Sequence, residues 1–255
     1  IIIYVYTTLT VVALYGNYML IVMGVQTLMT AMFNSMNAGI GNLVAEGDKR
    51  KIMSVFAELF SIRFLFSCIM CFGVLMITPA FVSFWIGKKY VMDSLSLLLM
   101  TAILFVNLSR TTVDAYINAY GLFGDIWAPI VEASLNVGLS IILGYYFGLH
   151  GVLSGVLISL LLVVFCWKPY YLFRKGLDER LSIYIFMYAR HLMAALLCGV
   201  IVCLGMRYSM VQGDTTFFDG LLGILVFSIL STLTLLCVAP GMRNLMRRFI
   251  RMCHV

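Results

Sequence analysis

Residues 93–121, DSLSLLLMTAILFVNLSRTTVDAYINAYG, place two opposing demands on one segment. Leu95 to Val106 is almost wholly apolar, and the stretch then carries Asn107, Arg110, Asp114 and Asn118 at spacings of three and four residues. At about 100° per residue these four groups share roughly a third of a helix circumference. The segment also exceeds the roughly 20 residues that cross a bilayer core. It reads as a membrane-spanning helix with one polar stripe.

The apolar character is general. Of the 255 residues, 63% are hydrophobic and 11% charged, against about 25% charged in soluble domains. Seven runs are long and apolar enough to cross a bilayer: 12–36, 52–77, 93–120, 125–147, 151–173, 192–210 and 217–238. Lipid offers backbone N–H and C=O groups no partners, so each run is expected to close its own hydrogen bonds as a helix. The expected fold class is all-α, a polytopic transmembrane helical bundle. Its expected parts are the truncated end of a preceding transmembrane helix at 1–11, a five-span bundle at 12–173, an appended pair of transmembrane helices at 174–240, and a basic amphipathic tail at 241–255. The opening IIIYVY has neither Met nor a charged lead, which separates it from a signal peptide.

The loops assign an orientation. If the spans alternate, Lys49, Arg50, Lys51, Arg174, Lys175, Arg180, Arg243, Arg247, Arg248 and Arg251 share one side, and Lys88, Lys89 and Arg207 the other. The excess marks the cytoplasmic side and puts the C-terminus there. These anchors account for most of the net charge of +6, so no nucleic-acid partner is expected. The basic tail is expected to lie on anionic bilayer lipids. Asn37, Gly39 and Gly41 are expected to loosen the end of the first full span, and Pro79 to end or kink the second. LSIYIFMYARH, residues 181–191, reads as an interfacial lead-in with Arg190 and His191 near the headgroups. Asn136, Ser140, Gly144 and Gly148, then Gly151, Gly155 and Ser159, repeat every four residues, a spacing that lets two helix backbones approach closely. Cys68 and Cys71 form a CxxC without the second pair that a zinc site needs, so they read as packing residues, and no metal or cofactor is expected.

Charge inside the spans is the functional signal. An Arg or Asp at mid-helix costs roughly 2.5–3.5 kcal/mol on insertion scales. Arg63, Arg110, Asp114 and Glu132 together cost on the order of 10 kcal/mol unless they are paired or face water. Arg110 and Asp114 stand in the i,i+4 relation. Counting outward from Phe123, Asp114 and Glu132 are each nine residues away, and Arg110 and Asn136 each thirteen. Glu58 sits on the preceding helix at a depth similar to Arg63. Candidate substrate-binding residues are therefore Arg63, Arg110, Asn107, Asn118 and Asn136. Candidate ion-coupling carboxylates are Asp114, Glu132 and Glu58. Two readings of this set stand side by side: a salt-bridge network that locks helices together, and a cavity whose arginines grip an anion.

ALYGNYMLI, AGIGNLVAEGDKRK, FVSFWIGKKY and RTTVDAYINAYGLFGDIWAPIVEASLNVGLSIILGYYFGLHGVLSG closely resemble the polysaccharide flippases of the multidrug/oligosaccharidyl-lipid/polysaccharide exporter superfamily. The resemblance runs through about residues 8–175, and residues 176–255 match only in outline. It implies the second lobe of a two-lobed exporter fold plus two extra C-terminal helices, in the bacterial inner membrane, with no enzymatic step. The implied substrate is an undecaprenyl-pyrophosphate-linked oligosaccharide, a surface polysaccharide or O-antigen repeat unit. The implied partners are the missing N-terminal lobe and, beyond it, a polysaccharide polymerase and glycosyltransferases. Arg63 and Arg110 match the family's cationic cavity by location. Two alternatives remain at this stage: a cation-coupled multidrug exporter of the same superfamily, with Asp114 and Glu132 as the ion site, and an integral membrane enzyme of polysaccharide assembly.

Overall fold

A computed structural model describes residues 2–124, 126–210 and 217–253. Ile1, Asp125, residues 211–216, His254 and Val255 lie outside the described residues, as do the side chains of residues 207–210, 217, 249, 252 and 253, and with them the reading of Arg207 as an anchor. Among the described residues the chain is helical without a strand. Its helices are α1 (Ile2–Tyr6), α2 (Leu9–Glu46), α3 (Lys49–Trp85), α4 (Ser94–Ser109), α5 (Thr111–Ala119), α6 (Trp127–Leu160), α7 (Lys168–Leu172), α8 (Leu181–Met210), α9 (Phe217–Val238) and α10 (Pro240–Cys253). Short 3-10 and π turns join some of them. Among the described residues six helical stretches are long and apolar enough to cross a membrane, and the chain is a multi-pass, all-α membrane protein.

One of the six stretches, 127–177, doubles back on itself. Gly148 leaves the helix at φ 56° and ψ −130°, a conformation that needs glycine. In a straight helix Ser140 and Gly155 would be about 22 Å apart. Instead, Ser140 Oγ donates to Val152 O at 3.3 Å, and a Cβ on Gly155 would lie 2.6 Å from Ser140 N. The small-residue ladders are the seam of this hairpin, and its two arms correspond to the expected spans 125–147 and 151–173.

α3 is the hub. Phe56, Phe60 and Phe64 recur every four residues and are buried. Phe56 meets Tyr116 edge-on at 5.0 Å and Phe173 at 5.6 Å. Phe64 meets Phe105 and Tyr188, each at 5.4 Å. Such pairs add about 0.5–1.5 kcal/mol beyond the area they bury. Cys68 and Cys71 are buried in two different apolar clusters, which is packing.

Several local readings are corrected by this packing. α2 runs unbroken through Asn37, Gly39 and Gly41 and stops at Gly47, which takes the left-handed φ of 76°. The glycines are tolerated because Ile40 and Leu43 bury in the cluster around α3, and tertiary contact outweighs weak local propensity. Pro79 does not end α3, which continues to Trp85 with Val82 buried, so of the two expected effects only the helix end is overturned. α8 starts at Leu181, so 181–191 is not an interfacial lead-in. Tyr184, Met187, Tyr188 and His191 form one buried face of that helix. His191 Nε2 lies 2.9 Å from Ser61 Oγ, and its Nδ1 lies 2.7 Å from Met187 O. α9 stacks Phe227 on Phe72 at 4.3 Å. The last two spans therefore share the core of the first five.

At the end that bears Lys88 and Lys89, Asp93 caps α4 by accepting from Ser96 N at 3.0 Å. His150, in the hairpin turn, donates to the same carboxylate from Nε2 at 2.8 Å. Partial burial pushes the Asp93 carboxyl up, but the Ser96 and His150 hydrogen bonds outweigh it and hold it down to about 2. A depressed carboxyl stabilises the fold above its unfolded value of 3.8 and loses that contribution as pH falls toward about 2. Asp93→Asn is expected to flatten acid destabilisation in that window, read as thermal midpoint against pH in detergent. Gly155→Leu is expected to cost about 1–3 kcal/mol by prying the hairpin seam apart. Gly16→Ala, where a Cβ meets nothing within 4 Å, should not lower the midpoint and should raise it slightly through helix propensity.

Candidate functional site

The polar stripe of the α4–α5 segment faces a cavity of about 570 Å³ between α2, α3 and that segment. Arg63, Asn107, Arg110, Asp114 and Asn118 all line it, opposite Gln26, Thr30, Asn34 and Asn37 of α2. Five of the residues picked from the sequence thus share one site. Arg110 follows the 16 residues of α4, which places it about 24 Å along from Ser94, in the half of the segment nearer the Lys49 end.

Arg110 sits where α4 passes into α5. α4 ends at Ser109 and α5 begins at Thr111, with Arg110 at φ −71° and ψ −19° between them. Around it Asn107 Nδ2 donates to Ile103 O at 3.1 Å, Ser109 Oγ to Val106 O at 3.2 Å and Thr111 Oγ1 to Leu108 O at 2.8 Å. Side-chain donors that take helix carbonyls in this way loosen and bend a helix. The backbone bonds from Arg110 N to Val106 O at 3.2 Å and from Asp114 N to Arg110 O at 3.1 Å carry the helix through this point.

Four charges meet there. Arg110 Nε is 3.3 Å from Asp114 Oδ2, and Arg110 Nη1 is 3.8 Å from Glu132 Oε1 on the first hairpin arm. Lys168 Nζ on α7 is 2.8 Å from Asp114 Oδ1. Two cations and two carboxylates sum to zero, and each keeps at least one opposite partner. The network ties the α4–α5 segment to both arms of the hairpin.

Arg63 is different. Its side chain is fully buried, and its contacts are dipoles rather than carboxylates. Nη1 donates to Thr111 O at 3.0 Å, and Nη2 to Asn37 Oδ1 at 3.0 Å and Phe33 O at 3.4 Å. The guanidinium carbon lies 5.3 Å from the Phe33 ring centroid, a cation–π contact. Its Nε has no partner among the described residues. With Arg110 and Lys168 neutralised by Asp114 and Glu132, Arg63 leaves the cavity one positive charge in excess.

Two of the candidate residues lie elsewhere. Glu58 precedes Arg63 by five residues, which turns it about 140° around α3 and away from the cavity. It accepts from Ser54 Oγ at 3.1 Å and pairs with Arg248 of α10 at 3.3 Å. Its grouping with the cavity carboxylates is therefore corrected: Glu58 braces the tail. α10 is docked on the protein through one face, with Gly241 against Ala57 and Ser61, and leaves Arg243, Arg247 and Arg248 exposed. Asn136 is the second exception. It is not among the cavity-lining residues, and its Oδ1 accepts from Ser140 Oγ at 3.3 Å on its own helix.

Two features escaped the sequence reading. Gln26, Thr30, Asn34 and Asn37 follow at spacings of four, four and three, the same helical signal that exposed the first stripe. Lys168 had no such signal. It follows a π-helical run, Leu161–Trp167, whose wider turns reset which side of the helix the lysine occupies.

No protein-family model, curated protein or solved structure matches the chain.

The ionic network generates a stability prediction. Lys168→Met leaves Asp114 under-compensated in a largely buried setting, and should lower stability by about 1–2 kcal/mol. Adding Asp114→Asn to Lys168→Met should recover part of that loss, measured as thermal midpoints in detergent. A double variant that loses the sum of the two single effects would show no coupling through this pair.

Proposed function

We propose that the chain is part of a membrane transporter that flips an undecaprenyl-pyrophosphate-linked oligosaccharide, a building block of a surface polysaccharide or O-antigen, across the bacterial inner membrane. The observation that carries this reading is Arg63, a buried guanidinium without a carboxylate partner among the described residues, lining a polar cavity beside Arg110. A cation held at membrane depth only by dipoles is an attractor for an anion, and guanidinium groups suit the planar, bidentate geometry of phosphate oxygens. In this reading Arg63 and Arg110 hold the pyrophosphate, while Asp114 and Glu132 keep Arg110 compensated when the cavity is empty. The resemblance of residues 8–175 to polysaccharide flippases supplies the substrate class. The loop charges supply the orientation, with the Lys49 end and the C-terminus cytoplasmic. Partners in the same reading are an N-terminal lobe that completes the cavity, and the polymerase and glycosyltransferases that use and make the substrate.

The charge balance disfavours a multidrug-cation exporter. Asp114 is engaged by Arg110 and Lys168, and Glu132 by Arg110, so the excess charge of the cavity repels a cation. A membrane enzyme would need an exposed set of catalytic side chains, and the polar cluster here is spent on internal pairing.

The test is export in cells carrying the full-length protein. Arg63→Ala and Arg110→Ala are each expected to cut surface-polysaccharide export at least tenfold without loss of protein from the membrane. Arg→Lys at either position should restore it only partly, because an ammonium is a point charge without the guanidinium fork. Normal export by both alanine variants would sink the proposal.

A further inference from the structure

The wall of the cavity opposite the α4–α5 stripe is neutral and built for hydrogen bonding. Gln26, Thr30, Asn34 and Asn37 span about 16 Å of α2 on one face and line the same cavity as Arg63. Their hydrogen bonds have a direction. Arg63 Nη2 donates to Asn37 Oδ1 at 3.0 Å, and Asn37 Nδ2 donates to Asn34 Oδ1 at 3.4 Å. Asn34 Nδ2 and the Gln26 amide then have no partner among the described residues. Thr30 Oγ1 spends its proton on Gln26 O at 2.8 Å and keeps its lone pairs free to accept.

Unmet amide donors and acceptors at membrane depth are costly unless water or a polar ligand meets them. An aromatic platform is missing from this lining, since its one ring, Phe33, already lies against Arg63. Its one carboxylate, Asp114, is held by Arg110 and Lys168. What complements such a surface is an uncharged group rich in hydroxyls.

We propose that the α2 amide face, Gln26, Thr30 and Asn34, reads the glycan of the substrate while Arg63 holds its pyrophosphate, with Asn37 joining the two halves. This rests on the anionic lipid-linked reading above and adds the division of the site into a charge-reading and a sugar-reading part. Asn37 belongs to both, so loss of its side chain weakens either half. Gln26 and Asn34 belong only to the second.

The experiment measures binding to purified full-length protein in detergent. Two probes are used: a short-chain polyprenyl pyrophosphate, and the same compound bearing a neutral trisaccharide. The wild type is expected to bind the glycan-bearing probe at least tenfold more tightly. Gln26→Met and Asn34→Leu should remove most of that advantage and leave affinity for the bare pyrophosphate unchanged. Asn34→Gln, which restores an amide, should recover part of it, and this separates lost hydrogen bonds from lost packing. Arg63→Ala should weaken both probes alike. Equal loss of both probes in the α2 variants, or no loss of either, would overturn the sugar-reading face and leave the anion site standing. Unaltered binding of both probes in Arg63→Ala would overturn the anion site itself.

Discussion

Much of the bundle is organised around how one buried cation is satisfied. Arg63 projects from the central helix α3 and is held by the Phe33 and Thr111 carbonyls and the Asn37 amide. Those three acceptors belong to two other helices, so the guanidinium fixes α2 and α5 against α3 at the same depth. A carboxylate in their place would have closed the charge and, with it, any reason for an anion to enter. Dipoles solvate the cation without cancelling it.

The neighbouring cluster follows the opposite logic. Arg110, Asp114, Glu132 and Lys168 cancel within a few ångströms, and the energy of burying each ion is offset by its partner. Their arrangement spans three elements that are distant in sequence, so the network also sets how the hairpin lies against the α4–α5 segment. Arg110 lies where the free and the compensated charges come together.

The last helices belong to this framework rather than hanging from it. α8 buries His191 between Phe60 and Phe64, α9 stacks on Phe72, and α10 closes on Ala57 and Ser61 with Arg248 over Glu58. All of these contacts fall on α3. The hub helix thus presents Arg63 to the cavity and is buttressed by the last three helices.

The periodicity of residues 107–118 and the apolar runs around it were enough, by themselves, to establish helices, membrane crossing and one polar face, because helix geometry repeats every few residues and needs no distant partner. The same rule applied to Gln26–Asn37 would have shown the second polar face. The Arg110–Asp114 pair was legible for this reason too, as an i,i+4 relation on one segment. The tertiary structure decided the rest. It took Glu58 out of the cavity, since rotation about α3 matters and depth alone does not. It brought Lys168 in through π turns that shift the helical register, and it turned α8 from an interfacial segment into core. It also left Arg63 without a carboxylate among the described residues, a property of the space between helices. Local sequence sets what each helix can offer; only packing determines which offers meet.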